Sequence, residues 1–225
     1  MNGYKTVISN ITIDEPLSYP ERPFDIDLCE KIYQLPTAFQ ELALAQRLNT
    51  ELVTIMASLG KLLRILSEAP SNEEERTFLL TWDPTTHLHQ LAGLPSRMKL
   101  LKKIVYPSEA IICFALSCFI TFLFHLMSTG DLWERKKLNL VLSLSFPMIE
   151  DGNDEILDWC RVLALTLCAD AKRTRAYTVN RKQLQSWRLF DLEWEEIVSN
   201  LRRHFWLPEL DEPAKRAWIE ARSEA

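Results

Sequence analysis

Glycine is scarce in this chain, with five in 225 residues. Few positive-φ turns are on offer, which argues against a hairpin-rich β fold and against a backbone loop that cradles phosphates. The corresponding motifs are missing too: there is no G-x-S-x-G elbow, no G-x-x-x-x-G-K loop and no G-x-G-x-x-G turn. Cysteine is limited to Cys29, Cys113, Cys118, Cys160 and Cys168, with no C-x-x-C pair among them. Four of the five sit in apolar stretches, so they read as buried free thiols in a reducing compartment. A surplus of positive charge is also lacking. Lys and Arg number 26 against 31 Asp and Glu, a net charge of −5, so the chain as a whole has no pull toward phosphate backbones. The opening MNGYKTVISNITIDEP has neither the basic nor the apolar region of a secretory signal, and an intracellular location is expected.

Histidines are few and badly placed for metal chemistry. His87 and His89 stand two residues apart, which diverge on a helix, and no cysteine or carboxylate lies beside them at ligand spacing. His125 reads as a hydrogen-bonded core histidine, and His204, next to Arg202 and Arg203, as a surface residue. No catalytic residue, cofactor or metal site is expected, and the chain reads as non-enzymatic.

What is present is helical periodicity. With 47% hydrophobic and 25% charged residues the composition is that of an ordinary globular protein. The spacing predicts an all-α fold: a proline-rich, aperiodic N-terminal arm over residues 1–34, with a β-like alternation in TVISNITI, and a single multi-helix domain over 35–225. Behind Pro36, the residues Phe39, Leu42 and Ala43 share a face. Asn49 or Thr50 can cap the next helix, in which Leu52, Ile55, Met56, Leu59, Leu62, Leu63 and Leu66 repeat at three-four spacing. Ser71 and Glu74 form a capping-box pattern for a shorter helix through Trp82, and Glu73, Glu74 and Glu75 suit its first turn. From His87 to Val105 a helix, or a pair interrupted near Gly93-Leu94-Pro95, follows. Asp131 and Glu134 suggest a helix from Leu132 to Leu144, and Asn153 or Asp154 opens another with Ile156, Trp159, Cys160, Leu163 and Leu167 on one face.

Between these lies AIICFALSCFITFLFHLM, eighteen residues without a formal charge, opened by Pro107-Ser108-Glu109 and closed by Gly130. Two readings compete. A central helix packed on all sides has this composition, and so does a short membrane span. Ser117, Thr121, His125 and basic residues on both flanks favour the core helix.

The C-terminal quarter holds Trp187, Trp194, Trp206 and Trp218. Phe190, Trp194, Ile197, Val198, Leu201 and Phe205 fall on one face of a helix, and Asp211 can cap a closing helix with Pro213 in its first turn. Such a stripe must dock, on the rest of the chain or on a partner, because each bulky group left in water forfeits about 1.5–3 kcal/mol. The polar segment before it carries Lys172, Arg173, Arg175, Arg181 and Lys182, which read as a solvated loop, or more sharply as a nuclear-import sequence or partner contact.

Two stretches resemble the middle and C-terminal regions of fungal zinc-binuclear-cluster transcription factors, especially those controlling biosynthetic gene clusters. The first is LPTAFQELALAQRLNTELVTIMASLGKLLRIL, residues 35–66. The second runs from DEILDWCRVLALTLCADA to SWRLFDLEWEEIVSNLRRHFWLPELDEPAKRAWIEA, within residues 154–221. The family's six-cysteine, DNA-reading cluster has no counterpart, since Cys29 is alone in the first 112 residues. The resemblance therefore implies a free-standing regulatory domain in the nucleus. It would work through a protein partner such as a DNA-binding transcription factor and would make no sequence-specific DNA contact of its own. A membrane-associated helical protein anchored by residues 110–127 is the alternative.

Overall fold

The computed structural model describes residues 17–100, 107–127, 154–168 and 191–223, which form nine α-helices, a short 3₁₀ turn and no strand. Asp25 accepts the Leu28 amide at 2.7 Å and opens α1, Ile26–Tyr33. This corrects the reading of residues 1–34 as an aperiodic arm. Eight residues with only Leu28 and Ile32 turned inward are too few to show a period. Helix α2, Thr37–Leu44, follows Pro36 and buries Phe39, Leu42 and Ala43.

Helix α3, Thr50–Glu68, is capped by Asn49, whose side chain takes the Leu52 amide at 2.8 Å. Leu52, Ile55, Met56, Leu59 and Leu62 are buried as their spacing requires, whereas Leu63 is half-buried and Leu66 exposed. Gly60 lies where α3 meets the end of α1: a Cβ there would stand 2.5 Å from the Gln34 carbonyl oxygen. Gly60→Ala should therefore destabilise the chain by about 1–3 kcal/mol, even though alanine is the better helix former by up to ~1 kcal/mol. The denaturant midpoint measures it.

Helix α4, Glu73–Thr81, begins one residue later than the capping pattern suggested. Asn72 caps the Glu75 amide at 2.9 Å, and Glu75, not Glu74, reaches back to the Ser71 amide and hydroxyl, both at 2.8 Å. Asparagine is as good a cap as serine, and Glu75 gains a second partner, Arg64, at 2.6 Å. Glu73, Glu74 and Glu75 occupy the first turn as expected.

Helix α5, Pro84–Leu100, runs unbroken through Gly93-Leu94-Pro95, so of the two readings the single helix holds and the interrupted pair does not. Leu91 and Leu94 are buried and α5 packs along α6, Pro107–Met127. That tertiary burial outweighs the one hydrogen bond that a proline forfeits. Arg97 pairs with Glu51 and ties α5 to α3.

The long apolar run is α6. Ile111, Ile112, Cys113, Ala115, Leu116, Cys118, Phe119, Ile120 and Leu123 are all buried. Among the described residues no helix is long and apolar enough to cross a membrane. Helix α7, Asp154–Cys168, packs on α6 and buries Ile156, Trp159, Cys160 and Leu163.

Helix α8, Trp194–Leu201, is shorter than the sixteen-residue stripe predicted. The amides of Arg203 and His204 bond to Asn200 and Leu201, three residues back, so the last turn tightens and the helix ends. Phe205 is delivered from the turn beyond it. A 3₁₀ turn at Pro208–Leu210 leads into α9, Asp211–Ser223, which packs on α7. Asp211 lies inside this helix and is not its cap: its carboxylate takes the Trp206 indole N–H at 2.8 Å and Arg202 at 3.2 Å. One continuous cluster of buried side chains joins α1 to α9, with Phe78 and Leu79 of α4 packed against it.

Candidate interaction site at an aromatic junction

The tryptophan-rich end docks on its own chain. Trp194 and Trp218 are buried, with ring centroids 5.8 Å apart, and the Arg222 guanidinium lies 4.9 Å over Trp218. Glu193 and Glu196 form the capping box that starts α8 and aims Trp194 inward. Trp206 is half-buried and its N–H is used by Asp211.

At the centre four rings meet. Phe39 of α2 stands edge-on to Trp159 of α7 at 5.4 Å and 80°, edge-on to His204 at 5.2 Å and 85°, and stacked near Phe205 at 5.4 Å and 28°. Trp159 and His204 stack at 5.4 Å and 10°, and Phe119 of α6 lies 6.4 Å from Phe205. Offset and edge-to-face pairs at these separations add about 0.5–1.5 kcal/mol each to the area they bury. Three polar links fix the junction. The Trp159 indole donates to the Phe205 carbonyl at 3.0 Å, the Ala38 amide to the Arg203 carbonyl at 3.1 Å, and Arg203 reaches Glu41 of α2 and Glu155 of α7.

His204 is the principal correction. Expected on the surface, it is 3% exposed. The side chain turns back under its own helix, where Nδ1 donates to the Asn200 carbonyl at 3.0 Å. Burial disfavours its charged form and brings its pKa down to about 4 from the usual 6.5. An unfolded chain thus takes up a proton near pH 6.5 that the native chain resists until about pH 4. Stability conferred by the neutral ring is present above pH 6.5 and is lost as pH falls between those values, by about 3 kcal/mol in all. Glu109 opposes this: burial raises its pKa, so a proton there favours the native state as pH falls. The contribution of His204 is isolated by comparing denaturant midpoints of wild type and His204→Phe between pH 7 and pH 4.5. The wild type should lose more stability than the variant.

Other polar features are structural in arrangement. His87 meets the Ser58 hydroxyl at 3.2 Å and Gln90 at 3.3 Å, and Trp82 donates to the same hydroxyl, while His89 is exposed. The two histidines do diverge. Asp83, capping α5, has a pKa of about 2 because Thr86 and the Thr85 amide bond to its ionised form; Glu75 is held at about 2 by the Ser71 amide and Arg64. A groove of about 480 Å³ lies between α1, α3 and α4, lined by residues including Tyr33, Lys61, Arg64 and Glu74. Its cations are already paired, Lys61 with Glu74 and Arg64 with Glu75.

Among the cysteines, Cys113, Cys118 and Cys160 are buried and Cys29 half-buried, all as free thiols, and burial pushes Cys113 and Cys160 up. Among the described residues no three His, Cys, Asp or Glu side chains converge as a metal site. Several expectations lie outside the described residues: the basic cluster Lys172, Arg173, Arg175, Arg181 and Lys182, the helix from Leu132 to Leu144, the TVISNITI alternation, Trp187, Phe190, and the side chains of His125, Leu167 and Cys168. No protein-family model matches the chain, and neither a curated protein nor a solved structure does.

Proposed function

We propose that this chain is a non-enzymatic, all-helical regulatory domain of the kind that fungal zinc-binuclear-cluster transcription factors carry beyond their DNA-reading part. It acts in the nucleus through a protein partner, such as a DNA-binding factor, on genes of a biosynthetic cluster. One observation carries the reading. The two stretches that bear the resemblance, residues 35–66 and 154–221, are not separate decorations: Phe39 of the first packs against Trp159, His204 and Phe205 of the second. Packing of the two stretches into one core is what a single shared domain requires. The net charge of −5 fits a domain that leaves phosphate contacts to its partner.

The mechanism has two expected outcomes. Purified protein should not distinguish any duplex from its scrambled counterpart at physiological salt, read by fluorescence anisotropy. In cells, deleting the gene should change transcripts of clustered pathway genes, and chromatin association of the protein should vanish with its DNA-binding partner. Tight, sequence-selective binding by the purified chain would defeat the proposal. Unchanged transcripts under conditions of expression would remove the regulatory role.

A further inference from the structure

Residues 17–24 form a strap across the corner between α2 and α3. The Ser18 carbonyl accepts the Thr50 amide, the Pro20 carbonyl accepts Gln46 Nε2, and Arg22 donates to the Leu44 carbonyl, each at 2.8 Å. Pro20 is buried, and Leu17 and Phe24 pack against the core. These contacts are hydrogen bonds to backbone carbonyls and modest apolar area. The fourth link differs in kind: the Tyr19 hydroxyl donates at 2.7 Å to Glu109 Oε2.

Glu109 is 1% exposed, and no ion pair reaches it among the described residues. Its other oxygen, Oε1, accepts the Asn49 amide at 2.7 Å and the Asn49 side chain at 3.0 Å. A buried carboxylate is thus held by three neutral donors, two of them from the residue that caps α3. Of its described partners, Tyr19 carries the hydroxyl on which a covalent group can reverse the interaction.

We propose that Tyr19 is a phosphorylation site and that its phosphoryl group releases the strap from the α2–α3 corner. A protein kinase would transfer the γ-phosphoryl of a nucleoside triphosphate to the phenolic oxygen. The new P–O bond forms as the bond to the bridging oxygen breaks, the phenolic proton passes to the kinase's base, and nucleoside diphosphate leaves. The donor to Glu109 is then gone. In its place stands a group of charge about −1.5 to −2, beside a buried carboxylate that no cation pairs among the described residues. Like charges at hydrogen-bond distance away from water repel strongly, and because Glu109 is fixed within α6 the strap is the side displaced. Its departure uncovers the apolar surface under Leu17, Pro20 and Phe24 and exposes the cap of α3.

The test uses the full chain, a broad-specificity protein tyrosine kinase with ATP and magnesium, and amide hydrogen exchange read by mass spectrometry. Phosphate is expected on Tyr19, and in the modified chain the Thr50 amide should exchange at least about tenfold faster while α7 and α9 keep their protection. In Glu109→Gln the same phosphate should release the strap far less, because the repelling charge has been removed. Tyr19 left unmodified, for example while the exposed Tyr33 takes phosphate, overturns the proposal. So does a phosphorylated chain with unchanged exchange at Thr50, or equal release in Glu109→Gln. If that variant fails to fold, the wild-type comparison decides alone.

Discussion

Ala115→Asp is expected to abolish the folded state. Ala115 sits midway along α6 at 1% exposure, in a helix whose neighbours Cys113, Leu116, Cys118 and Phe119 are equally enclosed. A carboxylate placed there loses its hydration and meets no donor, and an unpaired buried charge costs several kcal/mol even after it takes up a proton. Against a typical total stability of about 5–15 kcal/mol, that loss alone can exceed what the chain has. Far-ultraviolet dichroism should show no cooperative transition in the variant. Ala92→Asp, on the exposed face of α5, should change stability by no more than about 0.5 kcal/mol. Equal behaviour of the two variants would show that α6 is not enclosed as described.

The second large effect is at the junction. Trp159→Ala should cost about 3–5 kcal/mol, since it empties a fully buried indole site against which Phe39 and His204 pack. Trp159→Phe keeps most of the ring contact but leaves the Phe205 carbonyl without its donor, a further penalty of about 1–3 kcal/mol for an unsatisfied buried group. The expected order of denaturant midpoints is wild type, then Trp159→Phe, then Trp159→Ala. A phenylalanine variant as stable as wild type would mean that the hydrogen bond contributes nothing.

The sequence made α3, α6 and α7 legible because each carries many apolar residues at helical spacing, and a long period survives noise. Helix α1 was not legible: two inward residues in eight cannot be told from a loop. The choice between a continuous α5 and an interrupted pair stayed open for another reason, since Pro95 is a local signal whereas the burial of Leu91 and Leu94 and the packing of α5 on α6 are tertiary. At the candidate site the aromatics were visible as a stripe, and their docking requirement followed from their size. Which surface they meet did not follow. His204 shows why: its chain neighbours Arg202 and Arg203 advertise solvent, and only the arrival of Phe39 and Trp159 from distant parts of the chain encloses it. Glu109 was visible only as a residue opening a helix. Its role as the acceptor for Asn49 and Tyr19 depends on contacts 60 and 90 residues away in sequence.

Distance along the chain also sets a schedule for synthesis. Arg203 clasps Glu41 across 162 residues, and Phe205 covers Phe39 from just beyond it. At about 5–20 residues per second, a ribosome needs on the order of 10–30 s to make the chain between the two. Through that interval α2 has emerged while the aromatic group meant to cover it has not been made. Local helices can form early, but the closing step waits for the last of the four rings, and an apolar Phe39 face stays open to chaperones and to other nascent chains. A stall or truncation before residue 205 would therefore yield a chain with most of its helices and an unfinished core, the kind of product that quality control removes.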